Sequence, residues 1–528
     1  MMKRSLLMAA SFFAVMLSAT SAMGATLTFS VAAGPPTVNT TVTGAAFAPN
    51  SILDVYFDLT QMAFIATNAS GGFSVQITVP TYTKPGAHVI TVMPHFGSGA
   101  SAQKTFTVLT NWTQWRGDAA GTGWNHTENT LNYTTAANLT YSTSLASPTS
   151  VYTSPIIAGG LLYFTASDSS LRAYNRFTRT QAFNIAASAN PILPPAYGAD
   201  LIFVAGTGKL FAFRKTNGAL VWQANLPPGV GAPIFKGGVV YVVAQGDVNA
   251  GLFAFNTNCG TGGATCSHVW RGPGGSTGSY SYPEGSLAVG AGFVYAKMGN
   301  TIYQFKVGCQ TGGATCTPMF TRAADTWSPT FSNNYVYLVY RDVSGNSFLA
   351  AIKATCIACT PAWTYQLPAG TYRTLAVGAN KVFVGYGNVL AAFPAACGAR
   401  TCAPLWTTSI ASDAYPPTIA GDLVFVPSYR DLVAFPVDCY TGCPGRWHAG
   451  SGGVYSNANY AAVTVADGIV YAPDDSGLAI YELRSPTATG FAKNTSTVKT
   501  IDLADLKPSP KFAAAEALLA QQLTEAGY

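Results

Sequence analysis

The chain of 528 residues is short of charge: 9% of it is Asp, Glu, Lys or Arg, against roughly 25% in an average globular protein. The net charge of +6 is spread thinly and contains no basic run. That excludes the electrostatic footprint of a nucleic-acid binder. Histidine is scarce. His88, His95, His126, His268 and His448 lie far apart, so a histidine-rich metal centre is not expected. Cysteine is absent before position 259. Past the N-terminus no run of apolar residues approaches the roughly 18 needed to cross a bilayer, so no transmembrane segment is expected after processing. Gly-x-Ser-x-Gly, phosphate-loop and His-Glu-x-x-His motifs are all missing. What is present is glycine (53 residues), aromatic residues (12%) and a hydrophobic share of 48%. That excludes a disordered chain and fits an all-β protein with more than one core.

Lys3 and Arg4 precede an apolar run from Leu6 to Leu17, followed by small residues up to Gly24. This is the pattern of a secretory signal peptide over 1–24, cleaved before Ala25. The run is too short for a membrane anchor. A secreted protein, extracellular or periplasmic, is expected.

Residues 25–109 contain seven short β-rich runs punctuated by Gly, Pro and Asn. Seven strands in so short a stretch suit a small β-sandwich of immunoglobulin type. The segments "VTGAAFAPNSILDVYFD" and "ASGGFSVQITVP" resemble the Ig-like modules of bacterial exported proteins.

From about residue 111 the chain repeats. Each unit is a strand of small residues, then Gly or Asp-Gly, an apolar-aromatic strand, a short turn, "L-x-A-F/Y", a loop and a closing aromatic. Units begin near 154, 194, 232, 285, 328, 374, 416 and 461, a spacing of about 44 residues that must be read as an array. Eight units of four short strands predict an eight-bladed β-propeller over 111–483. The closing positions Phe183, Trp222, Trp270, Phe320, Trp363, Trp406 and Trp447 are read as packing between blades, one aromatic per repeat. The eighth unit ends at Leu483 without a fourth strand, and Leu139–Thr143 is expected to supply it and close the ring. Residues 484–528 read as a polar linker and a C-terminal helix starting at Ser509-Pro510.

These units resemble the pyrroloquinoline-quinone-type (PQQ-like) propeller repeat. The stretch Asn111–Asn125, "NWTQWRGDAAGTGWN", strengthens the likeness, because a Trp-x-x-x-Arg-x-Asp-x-x-x-Thr-Gly opening is characteristic of exported members of that superfamily. The resemblance implies the fold over roughly 111–483. It leaves activity open, because the superfamily holds quinone-dependent dehydrogenases as well as non-catalytic relatives such as a lipoprotein scaffold of outer-membrane assembly. The dehydrogenases use a disulfide between adjacent cysteines beside the quinone. This chain has no Cys-Cys pair, no clear Glu/Asn/Asp set for their calcium, and no Cys-x-x-Cys-His for haem. Neither PQQ nor calcium, nor any other cofactor or metal, is therefore expected.

All ten cysteines form local pairs at one point of blades three to seven: Cys259/Cys266, Cys309/Cys316, Cys356/Cys359, Cys397/Cys402 and Cys439/Cys443. An even count in an exported chain predicts disulfides, and the repeat register selects the local pairing. Such short closures are expected to pin hairpin tips rather than hold the ring together. Zinc binding through a Cys-x-x-Cys would need a second pair nearby.

The loops that lead into the innermost strands carry polar and aromatic residues of this charge-poor chain. They include Tyr282 and Glu284, Asp325 and Trp327, Tyr372 and Arg373, Asp413 and Tyr415, and Asn457, Asn459 and Tyr460. Glu284, Asp325, Trp327, Arg373, Asp413 and Tyr415 form the candidate ligand mouth at one end of the channel, with Arg373 expected to pair with Asp325 or Asp413. The plain alternative is a solvated rim. Asp342, Asp431, Asp474 and Asp475 are turn residues first. The reading is an exported, non-catalytic binding or scaffold protein with an unidentified protein or glycan partner. The alternative is an enzyme using the channel mouth, either like a PQQ-dependent dehydrogenase or glycan-active, with converging carboxylates as acid and base.

Overall fold

The computed structural model describes residues 24–96, 98–146, 149–186, 193–275, 285–324, 328–368, 375–429, 431–449, 461–483, 500–507 and 509–512. Among them the only helical elements are short 3-10 turns; everything else regular is strand. The expected signal peptide lies almost wholly outside the described residues. The expected C-terminal helix begins as a 3-10 turn at Pro510–Phe512, and its remainder lies outside them too.

The N-terminal strands are β1 (Thr26–Phe29), β2 (Ala33–Gly34), β3 (Asn39–Ala45), β4 (Ile52–Phe57), β5 (Thr60–Ala66), β6 (Phe73–Thr78), β7 (Gly86–Pro94) and β8 (Ala102–Val108). They make two sheets, β1-β3-β6 and β2-β8-β7-β4-β5. One core joins them, with Val42 and Ile77 from the first sheet and Leu53, Val55, Ile90, Val92 and Phe106 from the second. The strand absent from the sequence reading is β2. It has two residues and pairs parallel with the end of β8, too short to show as an alternating run. β4 is unusual for a sandwich strand, because Leu53 to Phe57 are all buried. A sheet with one solvated face alternates, so the outer face of this one is covered.

The repeats form eight antiparallel sheets. Their innermost strands are Ile156–Ala158, Ala196–Gly198, Ile234–Lys236, Leu287–Gly290, Thr330–Ser332, Ala376–Gly378, Thr418–Ala420 and Thr464–Ala466. Apolar side chains alternate between the two faces of each sheet, so each blade fills one core with the blade before and another with the blade after. The last core combines Ile469, Tyr471 and Leu478 of the eighth blade with Ile157, Leu162 and Phe164 of the first, so the ring has no end. The eighth blade takes its outer strand from β10 (Leu139–Leu145), in register Leu139↔Leu483 to Leu145↔Leu478.

The closing tryptophans join blades by a hydrogen bond as well as by area. The indole N–H of Trp222 donates to Thr257 O at 2.8 Å, Trp363 to Ala395 O at 3.1 Å, Trp406 to Val437 O at 3.2 Å and Trp447 to Leu139 O at 2.9 Å, each acceptor lying in the following blade. Tyrosines of the second strands repeat the device, as Tyr295 does with Ala354 O at 2.6 Å and Tyr337 with Ala395 O at 3.1 Å. Burial pushes the Tyr337 phenol up to about 12, so it stays a donor at any physiological pH.

The structure bonds Cys259–Cys266, Cys309–Cys316, Cys356–Cys359, Cys397–Cys402 and Cys439–Cys443. Their role differs from the expectation of isolated hairpin tips. Every loop reaches back over the outer strand of the preceding blade. Ala264–Thr265 pairs parallel with Trp222–Gln223, and Ala314–Thr315 with Trp270–Arg271. Thr401 bridges Thr364, and Gly442 N donates to Thr407 O at 2.7 Å. In the fourth blade Arg322 donates to Ile357 O at 2.5 Å and Cys359 O at 2.7 Å. The covalent closure is local, but the loop it stiffens is a strap between blades.

Candidate functional site

The innermost strand of a propeller blade has a partner on one side only, and its free edge faces the channel. Residues 112–128 satisfy those edges blade by blade. The amide of the strand's middle residue donates in turn from Ile157 to Trp112 O (2.8 Å), from Tyr197 to Thr113 O (2.7 Å), from Val289 to Ala119 O (2.6 Å), from Phe331 to Ala120 O (2.9 Å), from Val377 to Thr122 O (2.8 Å) and from Ile419 to Gly123 O (2.7 Å). In the third blade Phe235 N donates to Gln114 Oε1 at 2.8 Å. In the eighth, Val465 O accepts from Asn125 Nδ2 at 2.9 Å. β9 (Trp124–Asn125) pairs parallel with Ile419–Ala420. The opening "WxxxRxDxxxTG" and the Trp124–Asn125 that follows are thus a belt inside the ring, fastened to each of its eight blades.

The belt also fills the channel. Trp115 and Arg116 are both fully buried. Arg116 sits between the residues bonded to blades three and four, at φ 62°. Its guanidinium crosses to Pro417 O at 2.6 Å and to Leu375 O, the residues just ahead of the seventh and sixth inner strands. Gly123 lies against it: a Cβ there would come within 2.0 Å of Arg116 Nη2, and its φ of +65° independently favours glycine. Trp115 packs on Gly285, at the entry to the fourth inner strand. Both side chains therefore pack against the starts of the fourth, sixth and seventh inner strands. On the belt's other side, Asp118 accepts from Thr122 N at 3.1 Å and Thr122 Oγ1 at 2.6 Å. Burial raises its pKa above the usual carboxylate range, and those two bonds oppose the rise. Asp118, Trp112, Trp124 and His126 line a cavity of about 150 Å³ that Pro35–Thr37 of the sandwich covers.

The belt is anchored at both ends by buried charge. Asp467 Oδ1 accepts from Thr110 N at 2.7 Å and Thr110 Oγ1 at 2.9 Å, and Asp467 pairs with the buried Arg176. Arg176 Nη1 donates to Thr110 O at 3.0 Å. Burial lowers the Arg176 pKa to about 10, with Tyr471 and Glu128 opposing the shift, so it is charged at neutral pH. Glu128 accepts from Gly468 N at 3.1 Å and from Thr130 N at 2.7 Å. These charges hold backbone in place.

Of the six residues of the candidate mouth, Glu284, Asp325, Trp327 and Arg373 lie outside the described residues, as does the pairing expected of Arg373. Asp413 is exposed. Tyr415 is buried, with its amide on Pro427 O at 2.8 Å. The Asp residues read as turns are turns: Asp342 caps Ser344 N and Asn346 N at 2.9 and 2.8 Å, and Asp474 caps Ser476 N at 2.8 Å. Asp431 faces His448 at 2.9 Å. Among the described residues no three His, Cys, Asp or Glu side chains converge as a metal site would require. A groove of about 400 Å³ lies on the rim of the seventh blade between Tyr133 and Tyr440, with Asp422 and Asp438 along it.

The family model of the outer membrane protein assembly factor BamB matches residues 180–296, from the outer strand of the first blade into the fourth. No curated protein matches the chain. Solved structures share the fold at low identity. The quinohemoprotein alcohol dehydrogenase of Comamonas testosteroni is 13% identical with a TM-score of 0.52, covering 72% of this chain and 82% of that one. The quinohemoprotein alcohol dehydrogenase ADHIIG of Pseudomonas putida HK5 is 12% identical with a TM-score of 0.51, covering 76% and 82%. The computationally designed Ika8 protein is 12% identical with a TM-score of 0.51, covering 64% of this chain and 98% of that one. Repeated sheets closed into a ring, the matching family model and these neighbours together make the chain a β-propeller protein of PQQ-like repeats.

Proposed function

We propose that the protein is an exported, non-catalytic propeller that binds another macromolecule outside the cytoplasm. The belt carries this reading. The channel is filled at the level of Trp115 and Arg116, and the Arg116 guanidinium there holds two backbone carbonyls, so recognition falls to the outward loops. Five disulfides support an oxidising compartment. The matching family model's description as an assembly factor supports a protein partner. No helix among the described residues is long and apolar enough to cross a membrane.

Two measurements test the reading. Purified protein is supplied with the quinone, calcium, alcohols and a dye acceptor. No dye reduction is expected, and sustained reduction would replace this proposal with the enzyme. The partner is then sought with glycan arrays and defined envelope proteins. Glu284→Ala and Trp327→Ala are expected to weaken binding while leaving the melting temperature nearly unchanged. Binding untouched by both would move the site off the entry loops.

A further inference from the structure

The cavity of about 150 Å³ between the belt and the sandwich is walled by aromatic rings and one carboxylate. Trp112, Trp124 and His126 supply the rings and Asp118 the carboxylate. Trp124 lays one face of its indole on the sixth inner strand, since a Cβ on Gly378 would come within 2.5 Å of its ring atoms. His126 stands edge-on to it, with ring centroids 5.7 Å apart. A Cβ on Gly117 would lie 3.2 Å from the benzo ring of Trp112, so glycine there leaves that ring bare. His126 and Thr37 are exposed, and the cavity reaches solvent beside them.

The carboxylate lacks a counter-charge. Buried Asp54 and Asp467 each have a basic side chain beside them, His95 and Arg176. Half-buried Asp118 has none among the described residues. Its partners are the Thr122 hydroxyl and backbone amides, which are neutral. Burial opposes its charge, and a cation in the cavity offsets that cost. The lining also narrows the kind of cation. Its carboxylate and side-chain amide acceptors are already bonded within the chain: Asp118 to Thr122, Asn125 Oδ1 to Thr127 N at 3.2 Å and Thr127 Oγ1 at 2.9 Å, and Asn111 Oδ1 to Gly159 N at 3.2 Å. A metal ion or a primary ammonium needs several acceptors aimed at it. A fully methylated ammonium needs none, because it has no N–H and rests its methyl groups against aromatic faces.

We propose that this cavity binds a quaternary ammonium group, with Asp118 as its counter-ion and the rings of Trp112, Trp124 and His126 as its cage. A space of about 150 Å³ takes a molecule the size of benzene, and a trimethylammonium head is no larger. The site shares no residue with the candidate mouth.

Titration calorimetry of the purified protein at fixed ionic strength tests this. The probes are choline, tetramethylammonium and 3,3-dimethylbutan-1-ol, the uncharged carbon isostere of choline. Choline and tetramethylammonium are expected to saturate one site per chain. The alcohol brings the shape without the charge and is expected to bind about tenfold more weakly or worse. Equal binding of choline and the alcohol would make the cavity a plain apolar pocket. Displacement of choline by equimolar potassium would make it an inorganic cation site. Asp118→Asn keeps the shape and can still bond Thr122, so it is expected to weaken choline about tenfold and to leave the alcohol unchanged. Circular dichroism and melting establish that this variant is folded; if it is not, the wild-type comparison of choline with the alcohol decides. Choline bound equally by the wild type and the folded variant would place the ammonium elsewhere. Each of these three results, like the absence of any saturable choline binding, overturns the proposal.

Discussion

Arg116 donates to the carbonyl oxygen of Pro417 at 2.6 Å, joining a segment that precedes every blade to the residue just ahead of the seventh blade's inner strand. Because the guanidinium is fully buried, its loss strands two carbonyls at once. Arg116→Met is expected to destabilise the fold by about 2–6 kcal/mol, at about 1–3 kcal/mol for each buried carbonyl left without a donor. Arg116→Lys should recover little of it, since one ammonium cannot reproduce a planar fork between two acceptors. Denaturant midpoints measure both.

Trp406 and Val437 give a finer test of blade adhesion. Trp406→Phe keeps the ring's bulk and removes the N–H bond at 3.2 Å, with an expected loss of about 1 kcal/mol. Trp406→Ala should cost about 3–5 kcal/mol. A phenylalanine variant as unstable as the alanine one would mean that the indole's shape, and not its donor, matters.

Acid should favour the belt at one point. Burial raises the Asp118 pKa in the folded chain, so the folded state holds that proton more tightly than the unfolded one. The charged form carries a penalty above the folded pKa. The penalty is relieved as pH falls through that value, and relief is complete below the ordinary pKa of 3.8. Asp118→Asn removes the penalty and can still bond Thr122. It is expected to melt higher than wild type at pH 7, with the gap closing toward pH 4. A gap independent of pH would contradict the raised pKa.

Reduction should loosen the rim before the ring. Each short bridge contributes about 1–3 kcal/mol by the loop-entropy model, while the inter-blade cores are intact without it. Mild reductant is expected to lower the melting temperature and to leave the β-sheet circular dichroism in place. Replacing Cys439 and Cys443 by Ser should raise hydrogen exchange in Trp406–Ser409 of the sixth blade, the strand that the loop straps. Exchange confined to 439–443 would return the bridges to the hairpin-tip role.

The propeller was legible because its information is periodic. One strand signal, one "L-x-A-F" and one closing aromatic recur every blade, and the cysteines keep the same register. The closure by β10 was legible because the eighth unit visibly lacks a strand. The belt was not, although its motif stood out. Most of its bonds join main-chain groups to distant strands, from Trp112 with Ile157 to Gly123 with Ile419, and main-chain partners leave no mark on side-chain patterns. The same holds for Ile501 and Ser509, whose main-chain groups bond Gln103 and Gln61 on the sandwich. Burial was not legible either: an aromatic beside an aspartate in a loop reads as exposed, whereas Tyr415 is buried and Asp413 is exposed. The mouth itself rests on Glu284, Asp325, Trp327 and Arg373, outside the described residues.

A segment tied to every blade, and placed ahead of all of them in the chain, has a consequence for assembly. Synthesis delivers the belt first and the blades in order, and domains begin to form from the N-terminus as the chain appears. Each new inner strand meets a docking point that already exists, offset by a residue or a few from the one before. The belt is therefore expected to template blade order during vectorial folding, and a circular permutation that moves 112–128 behind the eighth blade should slow refolding far more than it lowers final stability.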